Sequence, residues 1–148
     1  MEIQKDFKEL LELFNANEVE YLIVGGYALA FHGAPRFTGD IDLLVKAESE
    51  NARRILNALN QFGFGSVDLS EIDFIAPDKV VQLGMPPVRI DILTSLTEVD
   101  WVKAWTNKVA GRYGDTPVCF ISKGDLIANK RALGRQKDLA DIEALEQE

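Results

Sequence analysis

The sequence predicts an α/β (α+β) protein: one mixed β-sheet backed by helices, in a single domain spanning residues 1–148. Three observations carry this. Short apolar, partly β-branched runs recur along the chain and read as strands. Segments with apolar residues at helical spacing are interleaved with them. Hydrophobic residues make up 47% of the chain, enough for one buried core and too many for a disordered polypeptide.

Taken in order, Ile3, Phe7, Leu10, Leu11 and Phe14 lie at helical spacing and predict an amphipathic first helix over 3–16. Residues 21–24 (Tyr-Leu-Ile-Val) form a buried strand that stops at Gly25-Gly26, and a helix over 27–32 follows. Residues 33–39 carry two glycines and a proline and form a loop before the strand 40–45. A third helix covers 50–62. Strands at 80–83 and 88–93, joined through Gly84-Met85-Pro86-Pro87, are expected as antiparallel neighbours. A short helix over 98–106, a strand over 118–121, a helix opening at Ser122, an interruption at Gly134 and a last helix over 136–145 complete the order. In that last helix Leu139, Ile142 and Leu145 are expected to form one packed face, and Cys119, in an apolar run, reads as a small core hydrophobe.

No apolar run approaches the roughly 18 residues that span a bilayer, and the N-terminus lacks a signal peptide's pattern, so a cytoplasmic protein is expected. The formal net charge of −8 disfavours nonspecific binding along nucleic-acid backbones. Residues 123–137 are a local exception, with Lys123, Lys130, Arg131, Arg135 and Lys137 against Asp125.

Side chains alternate faces along a strand, so Asp40 and Asp42 share one face, about 6–7 Å apart along the backbone. Asp91 interrupts Val88-Ile90-Ile92 on a second strand and joins that pair if the two strands are neighbours. Three crowded carboxylates raise one another's pKa and resist desolvation, and a divalent cation with oxygen ligands relieves both. By itself the Asp-x-Asp pattern also suits strand-end aspartates facing water or pairing with arginines. Gly25-Gly26 lies between a strand and a helix, where backbone N–H groups can receive phosphate oxygens; an ordinary strand-to-helix turn has the same pattern. His32 reads as a cap or hydrogen-bond partner rather than a base.

Ile23-Val24-Gly25-Gly26, thirteen residues, then Asp40-Ile41-Asp42-Leu43, with Asp91 on a later strand, resembles the signature of the DNA polymerase β-like nucleotidyltransferase superfamily. Gly-Gly-Tyr-Ala, the following His-Gly-x-x-Arg-x-Thr-x-Asp-Ile-Asp and the C-terminal stretch 125–142 resemble the small bacterial group related to abortive-infection (AbiEii-type) toxins. The resemblance implies that fold with C-terminal helices, and transfer of a nucleoside monophosphate from a triphosphate to a hydroxyl acceptor. It places Asp40, Asp42 and Asp91 on two Mg²⁺ ions, with Mn²⁺ as the alternative. Gly25, Gly26, Arg36, Thr38, Lys130 and Arg135 fall on the nucleotide, and Asp138 orients one of the two C-terminal cations. The implied acceptor is a tRNA end, a protein or a small molecule, in a toxin–antitoxin or phage-defence setting, with a homodimer or partner protein completing the cleft. A noncatalytic nucleotide-binding or antitoxin-like module of the same fold is the alternative.

Overall fold

The computed structural model describes residues 3–34, 39–64, 68–85 and 88–147. Helix α1 (Lys5–Ala16) leads through a short turn to β1 (Tyr21–Val24), α2 (Gly25–Phe31) and β2 (Asp40–Val45). Helix α3 (Ser49–Leu59) runs into a π turn at Asn60–Phe64, which Gly63 breaks with φ 108°. A 3₁₀ turn at Glu71–Phe74 precedes β3 (Val80–Met85) and β4 (Val88–Leu93). Helix α4 (Trp101–Asn107), β5 (Val109–Tyr113), β6 (Thr116–Phe120), α5 (Lys123–Leu133) and α6 (Gln136–Glu146) complete the chain.

The six strands form one mixed sheet in the order β3-β4-β2-β1-β6-β5. β1 runs antiparallel to β2 and parallel to β6, whereas β2 and β4 are parallel. β3 and β4 are antiparallel, as the sequence predicts. The apolar stripe of α1 (Phe7, Leu10, Leu11, Phe14) and that of α3 (Ala52, Ile55, Ala58, Leu59) are buried in a common core with Ile23, Ile41, Leu43 and Ile92. Buried Asn51 ties the first two strands together. Its Oδ1 accepts from Glu20 N at 2.8 Å, and its Nδ2 donates to Glu20 O at 3.1 Å and Lys46 O at 2.9 Å. This clamp lies at the start of β1 and the end of β2, away from Asp40.

Four expectations need correction. β5 was not foreseen: its sequence, Val-Ala-Gly-Arg-Tyr, lacks a clean alternation, and it forms because it pairs along its whole length with β6. Helix α2 starts at Gly25 rather than Tyr27, so both glycines belong to its first turn. Cys119 is half-buried: Thr116, Val118 and Phe120 fill the inner face of β6 and leave Pro117 and Cys119 on the other. Leu139 is 53% exposed, because the buried face of α6 is Asp138, Asp141, Ile142 and Leu145, at i, i+3, i+4 and i+7. Among the described residues no helix is long and apolar enough to cross a membrane.

Candidate active site

The parallel pairing of β2 and β4 sets Asp40 beside Arg89 and Asp42 beside Asp91. Four charged side chains therefore share one face of two central strands. The third carboxylate does join the pair. Arg89, which the sequence reading passed over, stands among them. Its Nη2 donates to Asp40 Oδ2 at 2.7 Å and Asp91 Oδ2 at 3.2 Å, and its Nε donates to Asp91 Oδ1 at 3.1 Å. The pairing with arginine that the Asp-x-Asp pattern left open is thus realised for two of the three acids. Alternation along Val88-Arg89-Ile90-Asp91 carries the signal that could have found it: Arg89 lies on the same face as Asp91, two residues away.

Asp42 is the acid that Arg89 does not hydrogen-bond. Burial, then the negative charge of Asp91, a hydrogen bond shared with Asp91 and the charge of Asp40 push its carboxyl up to about 7; the field of Arg89 opposes them without cancelling them.

Gly25 presses on the same carboxyl. β1 pairs Val24 with Asp42, so the residue after Val24 begins α2 directly over the acid. Gly25 has φ +67°, and a Cβ there would lie 2.1 Å from Asp42 Oδ2. Glycine is needed twice at this position, for the left-handed backbone and for the close approach. Gly26 is buried in the same turn. Part of the space beside Gly25, where phosphate is expected, is taken by the carboxyl of Asp42.

Three oxygen-donor carboxylates, one of them pushed up to about 7 by burial and then by its acidic neighbours, form a donor set suited to a hard divalent cation. Among the described residues, no group of three or more His, Cys, Asp or Glu side chains is arranged to hold a metal ion as it stands. The positions found are those of acids paired with a guanidinium. The donor chemistry fits; the arrangement is the arginine-bound one.

The other sequence-selected residues fall elsewhere. Arg36 and Thr38 lie outside the described residues. Lys130 is buried, its Nζ 3.1 Å from Asp141 Oδ2 and 3.5 Å from Asp138 Oδ1. Arg135 donates to Asp138 through Nε at 2.6 Å and Nη2 at 3.2 Å. Gly134, with φ 63°, ends α5 in the left-handed conformation and lets the two cations converge on that aspartate. Asp138 is fully buried, yet its carboxyl is held below the usual range, first by Arg135 and with the help of Lys130. His32 Nε2 lies 2.7 Å from Ile121 O, a hydrogen-bond partner as expected.

No curated protein sequence matches the chain. Several solved structures share its fold. An antigenic nucleotidyltransferase-like protein from Paracoccidioides brasiliensis superposes with a TM-score of 0.59 at 17% identity, over 97% of this chain and 77% of that one. The lincosamide antibiotic adenylyltransferase LnuA, in its lincomycin-bound form, gives 0.58 at 17% identity, over 97% and 96%. The antibiotic-resistance factor ANT(2'')-Ia gives 0.62 at 12% identity, over 95% and 80%. These likenesses establish the nucleotidyltransferase fold. Residues 1–146 match a family model, and the chain thereby belongs to the family described as "Nucleotidyltransferase of unknown function (DUF6036)".

Proposed function

We propose that the chain transfers a nucleoside monophosphate from a triphosphate to a hydroxyl acceptor, in the cytoplasm, at the face formed by Asp40, Asp42 and Asp91. One observation carries this reading: Asp42 and Asp91 are register partners on neighbouring parallel strands, with Asp40 on the same face and Gly25 pressed against Asp42. Asp40, Asp42 and Asp91 would hold Mg²⁺ or Mn²⁺. When bound, two such ions supply charge neutralisation for the triphosphate and the departing pyrophosphate, and acidify the acceptor hydroxyl. Asp91 accepts the hydroxyl proton at a carboxylate oxygen as the acceptor attacks the α-phosphorus. The first turn of α2, at Gly25 and Gly26, receives phosphate oxygens with its backbone N–H groups. Arg36, Thr38 and Arg135 stand on the phosphate side in this reading, and Arg135 keeps a side chain 54% exposed while holding Asp138.

The acceptor is a tRNA end, a protein side chain or a small molecule, delivered with a second copy of the chain or a partner protein. The sequence resemblance to abortive-infection toxins makes a toxin–antitoxin or phage-defence setting the first to examine. The test incubates the purified chain with each α-labelled triphosphate, Mg²⁺ and a cell lysate. Label should pass to one class of acceptor with wild-type protein, and Asp42→Asn should lower the rate by about a thousandfold or more while the protein stays folded. Equal labelling by wild type and variant would refute the assignment.

A second reading is a noncatalytic nucleotide-binding module, perpetuating the fold without turnover. The guanidinium bound to Asp40 and Asp91 favours it, since those acids already have a counter-charge. Triphosphate binding without any labelled product would support that module.

A further inference from the structure

We propose that Arg89 is a built-in competitor of the divalent cation: its guanidinium holds Asp40 and Asp91 while no cation is there, and must release Asp40 before that carboxylate can help to hold one. This rests on the metal-dependent reading of the site. The contacts define the conflict. Arg89 Nη2 already occupies Asp40 Oδ2 at 2.7 Å, and Nε and Nη2 cover both oxygens of Asp91. A guanidinium and a dication in contact with one carboxylate oxygen repel each other strongly in a partly desolvated site.

The surroundings give the side chain somewhere to go. Arg89 is half-buried, with 30% of its side chain exposed. On the flank away from Asp40, its register partner across β3 is Gly84, which is exposed and has no side chain to bar a swing toward the sheet edge. The next partner along that edge, beside Asp91, is exposed Gln82, whose amide oxygen can accept from the displaced guanidinium. Because one nitrogen, Nη2, reaches both Asp40 Oδ2 and Asp91 Oδ2, its withdrawal frees an oxygen on each acid, while Nε can keep its contact with Asp91 Oδ1 along the same strand. Arg89 is therefore a positioning residue that sets how much cation is needed to open the site.

The test measures Mn²⁺ binding to the triphosphate-free protein, by calorimetry and by the loss of free-ion electron-paramagnetic signal. Arg89→Met keeps the length of the side chain and removes its charge and donors. It should tighten Mn²⁺ binding by about tenfold or more relative to wild type. Arg89→Lys, which keeps the charge but lacks the planar fork, should fall between them. In wild type, the Arg89 Nε–H resonance should move as Mg²⁺ is added. Arg89→Gln serves the same purpose if the methionine variant does not fold, and circular dichroism checks each protein. Equal or weaker Mn²⁺ binding by the folded neutral variants overturns the competitor role and leaves the metal site standing. No Mn²⁺ binding by wild type or variant at millimolar ion overturns both. Binding that survives Asp42→Asn in the Arg89→Met background overturns the metal assignment itself.

Discussion

Two aspartates of this chain are withdrawn from water and hold their protons in opposite ways. Asp138, at the start of α6, is fully buried and its carboxyl lies below the usual range; Asp42, on β2, is pushed up to about 7. The difference is in their company. Around Asp138, two cations, Lys130 and Arg135, meet two acids, Asp138 and Asp141, and Arg135 grips Asp138 with two hydrogen bonds. Around Asp42, among the described residues, three acids share Arg89, whose hydrogen bonds go to the other two. Burial costs both carboxylates solvation, and only the first is compensated by cations in contact. A balanced cluster fastens two helices. An acid-rich one retains an affinity for added positive charge, which is what a site for metal and triphosphate requires.

The largest stability effect is expected from breaking the balanced cluster. Lys130→Met leaves Asp138 and Asp141 short of a buried cation and should cost about 3–5 kcal/mol, read from urea unfolding. A cost near zero would show that the cluster is not a fastening. The paired Lys130→Met, Asp141→Asn variant should recover part of the loss.

The acid-rich cluster is expected to behave in the opposite sense. Asp42 has a folded-state pKa raised from 3.8 to about 7, so its contribution to stability is fully present below about pH 4 and is lost as pH rises through about 7. In metal-free protein, the stability of wild type relative to Asp42→Asn should therefore fall between those limits and level off above them. The full change is on the order of 4 kcal/mol, since each pKa unit corresponds to about 1.4 kcal/mol. Saturating Mg²⁺ should abolish the trend by binding the ionised form. A difference that is flat with pH would remove Asp42 from its charge-deficient role.

The smallest effect should come from the exposed edge of the balanced cluster. Arg135→Gln removes the exposed partner of buried Asp138 while buried Lys130 remains, so unfolding should cost less than in the Lys130 variant, about 1–2 kcal/mol. If Arg135 also touches the triphosphate, nucleotide affinity should fall about tenfold in a binding titration. An unchanged affinity would assign the guanidinium wholly to Asp138.

Much of the fold could be read locally. The amphipathic stripe Phe7, Leu10, Leu11, Phe14 became the buried face of α1, and Ser122 caps α5, its hydroxyl accepting from Asp125 N at 3.1 Å. The antiparallel pairing of β3 and β4 followed from two apolar runs close together in the sequence. β5 could not be read this way, because a strand stabilised by its partner's backbone needs little pattern of its own. The face of α6 failed for a related reason: spacing cannot say that a buried lysine on α5 will draw two aspartates inward in place of Leu139.

By itself the sequence determined which residues carry charge and on which strand face, because strand alternation is local: Asp40 with Asp42, and Arg89 with Asp91. It also determined that a glycine pair follows β1, a requirement set by the backbone there. Only the tertiary structure decided that β2 and β4 lie side by side in the register that pairs Asp42 with Asp91 and Asp40 with Arg89. That register sets how many acids one arginine must serve, and hence which carboxyl keeps its proton. It is a long-range outcome, fixed by burying Ile41, Leu43, Ile90 and Ile92 together, and a one-residue slip of β4 would turn Arg89 and Asp91 to the face opposite Asp40 and Asp42.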